Sequence, residues 1–233
     1  MELTLRCNKV FDCADRSDEG NCEPLQIDEK SYIKIYPPTM KDRKSIITLQ
    51  MDIHSIQSID EIAMEFRAEV SVLLQWRDPR ITYKNLAKEN NIVDRLWINQ
   101  IWLPHLVFSN TELNKRISID DEGDDSVLVK IIRKGLPKSN DLNYLNEGNK
   151  FNGSENDLQL SATHQCNFRC KFDLAEFPFD TQKCSIDIQM PLEYRKLTRD
   201  LSIQPKEVVY LGMSSSCLKY LIMHILKFLF IRR

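Results

Sequence analysis

The sequence lacks most of what an enzyme or a nucleic-acid binder needs. Its 233 residues carry 32 Lys and Arg against 34 Asp and Glu, a net charge of −2. That balance leaves no electrostatic footprint for nucleic acid. Histidine is scarce: His54, His105, His164 and His224 lie far apart. No phosphate loop, Ser/His/Asp order or pair of carboxylates in an apolar setting accompanies them, so no catalytic residue is assigned and an enzyme is not expected. Long hydrophobic runs are absent too. The most apolar stretch, Cys217 to Ile231, is broken by Lys219, His224 and Lys227. It is too short and too charged for a spanning helix. It suits a basic apolar helix lying on a membrane, or a divergent tail. Glycine is rare, with six in all, and 42% of residues are hydrophobic, which excludes a disordered chain. Met1 opens no apolar signal region.

Cysteine, by contrast, is plentiful and clustered: three near the start, three between 166 and 184, and Cys217. Clustering of this kind points to an oxidising compartment, and hence to a natural start that lies upstream of Met1. Cys170 and Cys184 bracket a stretch whose flanks alternate. Phe168, Cys170, Phe172 and Leu174 share one parity, and beyond the ring Ile186 and Ile188 share that of Cys184. Alternation marks half-buried strands, so both sulfurs are expected on an apolar face and joined. Closing a ring of about 15 residues removes roughly 3 kcal/mol of unfolded-state entropy. Between them, Phe177-Pro178-Phe179 places two rings on a stiff turn, and Asp180 suits an Asx turn towards Gln182. Cys166 lies four residues from Cys170, about 13 Å along a strand, too far for a bond between the two. It is expected to be a free core thiol, with pairing to a cysteine further up or down the chain as the alternative.

Two longer strands precede this ring. Ile47, Leu49, Met51 and Ile53 alternate with polar residues. After a turn expected at Ser58–Asp60, Ile62, Met64, Phe66, Ala68, Val70, Val72, Leu74 and Trp76 keep one parity. A helix does not hold period 2 over fifteen residues, so these are antiparallel strands with one wet face, on which His54 falls as an exposed residue. Val127–Ile132 is a further candidate strand, Asp120 to Asp125 an acidic turn, and Lys206 to Gly212 a late strand and its exit. The polar stretch from Gly135 to Asp157 exceeds most connections and holds one sequon, at Asn152.

Cysteine, thirteen residues, cysteine, with Phe-Pro-Phe-Asp-x-Gln between, resembles the disulfide loop of Cys-loop pentameric ligand-gated ion channels. Two more stretches resemble that family in order: Trp76-Arg77-Asp78-Pro79-Arg80, and Trp102-Leu103-Pro104-His105 running to Asn110. At His105 the family carries an acid. The segment Phe151 to Asn156 is similar to invertebrate members. The resemblance implies an all-β, immunoglobulin-like antiparallel β-sandwich over residues 40–212, incomplete at its C-terminal end. It also implies a small-molecule transmitter-like ligand held between subunits of a pentamer, and a Phe177–Asp180 tip that passes motion to membrane helices absent from this sequence. The implied location is the extracellular side of the plasma membrane. The ligand positions carry over to Ser71 and Leu73, to Val107 and Ser109, and to Pro191; none bears the aromatic ring that the family uses to attract ammonium groups. A soluble pore-less homologue, or a secreted adhesion or inhibitor domain, would use the same scaffold. No cofactor is expected for this domain.

Ahead of it, residues 1–23 form a short acidic segment that needs bridges or a metal. Asn8, Asp12, Asp18 and Glu19 are hard oxygen ligands suited to Ca²⁺. The ending Cys13-x-Asp15-x-Ser17-Asp18-Glu19-x-x-Cys22 is similar to half of an LDL-receptor class A repeat, which implies calcium on those four side chains and a Cys7–Cys22 bond. Residues 24–39, with prolines and mixed charge, read as a linker, and 213–233 as an apolar, basic tail.

Overall fold

The computed structural model describes residues 10–20, 25–28, 30–39, 45–84, 86, 91–111, 117–120, 127–135, 150–175, 182–191, 194 and 201–210. In chain order the strands are β1 (Leu25–Ile27), β2 (Ser45–Asp60), β3 (Glu65–Trp76), β4 (Ile81–Lys84), β5 (Asn91–Ile92), β6 (Val107–Phe108), β7 (Ile117–Ser118), β8 (Leu128–Ile132), β9 (Lys150–Asn152), β10 (Asp157–Arg169), β11 (Ile188–Gln189) and β12 (Leu201–Tyr210). Among the described residues, helix is limited to a 3-10 turn at Ser17–Glu19, to α1 (Arg95–Ile98) and to the single position Tyr194. The protein is all-β, as its alternating pattern demands, and the registers that can be read are antiparallel. Three sheets form, with strand orders β1-β4-β9, β12-β2-β3-β10-β8-β5 and β11-β6-β7. Pro205 lies in β12, at the edge of its sheet, where a residue without an N–H breaks no inner ladder.

The chain divides into two compact units. The first comprises Met1–Ser45, Trp76–Trp102 and Val129–Gln159. Its fixed point is Asp78, wholly buried at the end of the Trp-x-Asp-x-Arg stretch. Arg80 grips this carboxylate through Nε at 2.8 Å and Nη2 at 2.6 Å, and Tyr32 Oη donates to it at 3.0 Å. The same Tyr32 oxygen accepts from the Trp102 N–H at 2.8 Å. Arg80 also donates to the Tyr36 carbonyl, and its guanidinium sits 4.4 Å above the Tyr32 ring. Residues 24–39, expected to be a linker, therefore include a paired strand, β1 against β4, and a segment anchored on Asp78 and Arg80. The pattern hid this because the strand is only three residues long.

The second unit comprises Ile46–Gln75, Leu103–Leu128 and Leu160–Arg233. Phe66 of β3, Phe168 of β10 and Phe108 of β6 meet in its core, with 5.4 Å between centroids in each consecutive pair. Along β3 the alternation is complete: Phe66, Ala68, Val70, Val72 and Leu74 are each at most 1% exposed. The turn before it differs from expectation. β2 runs on to Asp60, whose Oδ1 accepts from the backbone N–H groups of Ile62 and Ala63 at 3.0 and 2.8 Å. Met64 then takes φ 57°, so Ile62 and Met64 belong to the turn rather than to the buried parity. Ile62 is 97% exposed. Register shifts in β2 between Ile53 and Ser55, and between Ile56 and Ser58, end its clean alternation early.

Candidate functional site

The disulfide ring closes as its spacing requires. Cys170 and Cys184 are bonded, with Cα atoms 5.3 Å apart. Phe168, Cys170, Phe172, Cys184, Ile186 and Ile188 are all buried, on the face their parity assigned. Leu174 breaks the series and is exposed, because Asp173 Oδ1 accepts from the Ala175 N–H at 3.2 Å and turns the chain there. Gln182 staples the two arms: its Oε1 accepts from Asp173 N–H at 2.9 Å and its Nε2 donates to Asp173 O at 2.6 Å. The tip residues Phe177, Pro178, Phe179 and Asp180 lie outside the described residues, as do Cys7, Cys22 and Asn8. Cys166 is buried on β10.

Asn110 ties this ring to β6. Its Nδ2 donates to the Ser185 carbonyl at 2.7 Å and to the Arg169 carbonyl at 3.4 Å, while its Oδ1 accepts from Asp187 N–H at 2.9 Å. One amide thus holds both arms of the ring. An aliphatic residue of similar size offers neither donor nor acceptor, which gives the asparagine at the end of the Trp-x-Pro stretch its physical reason.

The carried-over ligand positions fall on two sheets. Ser71 and Leu73 lie on the wet face of β3, both partly exposed. Ser71 Oγ bonds His54 Nε2 at 2.6 Å and Thr163 Oγ1 at 2.7 Å, a polar row across β2, β3 and β10. His54 is therefore half-buried in this row rather than simply exposed. Val107 lies in β6 opposite Gln189, while Ser109 and Pro191 lie just past β6 and β11, and Ser109 N–H donates to Asp187 O at 2.8 Å. Val107 points into the core at 6% exposure, whereas Ser109 is exposed.

Beside this second group sits a cluster that sequence reasoning missed. His105 Nδ1 lies 2.6 Å from Asp120 Oδ2, and Ser118 Oγ donates to Asp120 Oδ1 at 2.5 Å. Asp120 opens the stretch expected as an acidic turn; its side chain is 1% exposed. The ring of Tyr194 stacks on His105 with centroids 4.4 Å apart. Asp120 and Tyr194 belong to no motif; the β6–β7 pairing brings Asp120 towards His105, and Tyr194 follows from the turn in which its N–H donates to Pro191 O.

In the N-terminal segment, Asp12 N–H donates to Asp18 Oδ2 at 2.5 Å, and Asp18 is buried. Glu19 ends the 3-10 turn that begins at Ser17. Among the described residues no group of three or more His, Cys, Asp or Glu is placed to hold a metal ion. At the sequon, Asn152 Oδ1 accepts from Ser154 N–H at 2.9 Å.

The structure shows an all-β chain whose disulfide ring is clamped to the Trp-x-Pro stretch through Asn110. The profile of the neurotransmitter-gated ion-channel ligand binding domain matches residues 26–215, and the chain belongs to that family. It is 25% identical over 143 residues to the gamma-aminobutyric acid receptor subunit rho-3 of Rattus norvegicus. It is 22% identical over 143 residues to the rho-2 subunit of Mus musculus. Each match covers 61% of this chain and 26% of the relative, so the chain spans about a quarter of those receptors.

Proposed function

We propose that this chain is the extracellular ligand-binding portion of a subunit of a neurotransmitter-gated channel at the plasma membrane. A small transmitter seats between neighbouring subunits of a pentamer, and the disulfide ring passes the resulting motion to the pore. The observation that carries this reading is the Asn110 clamp. It joins the strand bearing Val107 and Ser109 directly to both arms of the ring, so a shift of β6 moves the ring with it. Such coupling needs two arrangements of one packed element that ligand distinguishes. The distribution of the five carried-over positions over two sheets agrees with a site that one subunit alone does not complete. Two relatives, both gamma-aminobutyric acid receptor subunits, support a transmitter carrying an amine and an acid.

The test joins this domain to the membrane region of the rat rho-3 subunit and records current evoked by γ-aminobutyrate and other small amines. Agonist-evoked current is expected, and Asn110→Ala lowers the maximum current while agonist binding persists. A correctly folded, surface-delivered chimera that binds no transmitter sinks the reading. For the N-terminal segment we propose a partial class A repeat that holds calcium with Asn8, Asp12, Asp18 and Glu19 and closes by Cys7–Cys22. Calorimetry with and without calcium decides it. Asn152 is proposed as a glycan acceptor, to be read as a mass loss on deglycosylation of the secreted chain.

A further inference from the structure

We propose that the outer face of the β1-β4-β9 sheet binds a sulfated glycan, held by Lys84, Lys150 and Arg133. The site belongs to the first unit alone and is independent of the transmitter reading. Its starting point is register. In β4–β9 the partners are Thr82↔Asn152, Tyr83↔Phe151 and Lys84↔Lys150. Tyr83 and Phe151 are buried, so alternation turns the two lysines outward, side by side. Lys84 is partly exposed and Lys150 exposed. Side chains directly opposite in an antiparallel pair have Cβ atoms about 5 Å apart, and like charges there destabilise the sheet.

Arg133 brings a third cation to the same end of the sheet. Its Nη1 donates to the Leu86 carbonyl at 3.2 Å, two residues past Lys84. Its guanidinium lies 4.8 Å from the centre of the Phe151 ring, one residue past Lys150. A carbonyl and a ring steady a guanidinium without neutralising it. Among the described residues no carboxylate pairs with Lys84, Lys150 or Arg133. Their neighbours differ: Arg77 and Lys134 share Asp157, and Arg80 grips Asp78. The fold compensates the basic groups around this corner and leaves the corner itself positive. A broken local rule without an internal remedy is expected where a surface meets a ligand.

Charge and the rest of the face identify the occupant. Fixed cations side by side call for a repeating anion, and guanidinium beside ammonium suits sulfate oxygens. Next to the lysines, Gln26, Thr82 and Asn152 form one row across the three strands. Gln26 is exposed and Thr82 partly so. An amide and a hydroxyl beside the cations match sugar hydroxyls beside sulfates. The Cys170–Cys184 bond fits the oxidising, extracellular setting in which such glycans occur. With a net charge of −2, the chain as a whole does not attract a polyanion, so the attraction has to be local.

The experiment measures calorimetric binding of a heparin decasaccharide to the secreted, disulfide-bonded chain at about 50 and 200 mM salt. Ser154→Ala is the background, because it removes the sequon and any glycan on Asn152 that would cover the same face. The decasaccharide is expected to bind with a log–log salt slope of about −2, from roughly 0.7 of an ion released at each of three contacts. Lys84→Gln combined with Lys150→Gln is expected to lower affinity about tenfold, the sum of two exposed charge contacts. The same double change raises the urea midpoint, since it removes the cross-strand repulsion. Each variant is checked for the Cys170–Cys184 peptide and for unchanged β-sheet circular dichroism. A lowered midpoint overturns the proposal by removing the repulsion from which it starts. Unchanged affinity in the double variant assigns binding to other basic residues and overturns it as well, as does no binding by the parent. Poly-glutamate is the competing probe: if it binds more tightly than the decasaccharide, the occupant is an acidic protein and the glycan is overturned.

Discussion

Gly153 shows how much a single residue decides in this fold. A Cβ built there would lie 2.1 Å from the Asp78 carbonyl oxygen and 2.7 Å from that of Ile81. Those atoms are backbone, in the turn closed by Ile81 N–H to Asp78 O, and Gly153 N–H itself donates to Ile81 O at 3.0 Å. No side chain can rotate to make room. Gly153→Ala is expected to destabilise by about 3 kcal/mol, the upper range of overpacking costs, seen as a lower midpoint in a urea titration. The change keeps the Asn-x-Ser pattern, so a glycan on Asn152 would persist while stability falls. Tyr32 is the second such residue. Burial pushes its hydroxyl well above the usual tyrosine range, and the Asp78 charge adds to this. The neutral form is thus favoured in the folded state. Its contribution is present in full below about pH 10, where unfolded tyrosine begins to ionise, and is lost as pH rises above that. Tyr83 is shifted the same way, first by burial and then by Asp78. Tyr32→Phe removes a donor to Asp78 and the acceptor of Trp102 N–H, and is expected to cost about 2 kcal/mol at pH 7. The loss of stability between pH 9 and pH 11, measured in urea, should be shallower in the variant than in the parent. An equal slope in both proteins would remove Tyr32 from the account.

Among the elements, the legible ones were those long enough to show a period. β3 announced itself through five inward residues from Phe66 to Leu74, and the strand pair around the disulfide through Phe168, Cys170, Ile186 and Ile188. What stayed hidden depends on single contacts. The β2–β3 turn moved to Glu61–Met64 because one carboxylate, Asp60, captures two N–H groups, a choice that hydrophobic parity does not encode. β1 has three residues and no period to detect, so its pairing with β4 was unreadable. The candidate site divides likewise. Ser71 was placed correctly on a wet face, but the His54–Ser71–Thr163 row needs a register across three strands. Asp120 looked like one acid in an acidic run; its burial follows only from sitting opposite His105. The ring itself tests the element-level argument. Its arms are held by the disulfide and also by Asn110 and the Gln182–Asp173 staple. Replacing both Cys170 and Cys184 by Ser should therefore cost about 3 kcal/mol of stability without dissolving β10. Hydrogen exchange of the β10 amides checks this: protection there is expected to survive in the double variant and to fall when Asn110→Ala is added.

For the whole molecule the question is what one chain leaves unfinished. Within the second unit Phe66, Phe108 and Phe168 pack against one another in the core. The wet face of β2 and β3 is different. It carries Asp52, His54, Arg67, Glu69 and Ser71, all at least partly accessible; His54 bonds Ser71 across strands, and Ser71 and Arg67 bond Thr163 and Gln165 of β10. Such a face is polar enough to stay in water alone and varied enough to match a complementary face, as transient interfaces do. If neighbouring subunits close the ligand site, assembly and binding are linked: ligand that touches both faces favours the ring over the free chain by mass action. Secreted, oxidised chain is therefore expected to shift towards a species of five copies when γ-aminobutyrate is added, with the free 27.4 kDa chain decreasing in step. Native mass spectrometry at two ligand concentrations reads the shift directly. Butyrate should produce none of it if ammonium is what the site selects. Ligand that binds without changing the distribution of species would place the whole site on a single chain, and the two-sheet arrangement of Ser71 and Ser109 would then need another cause.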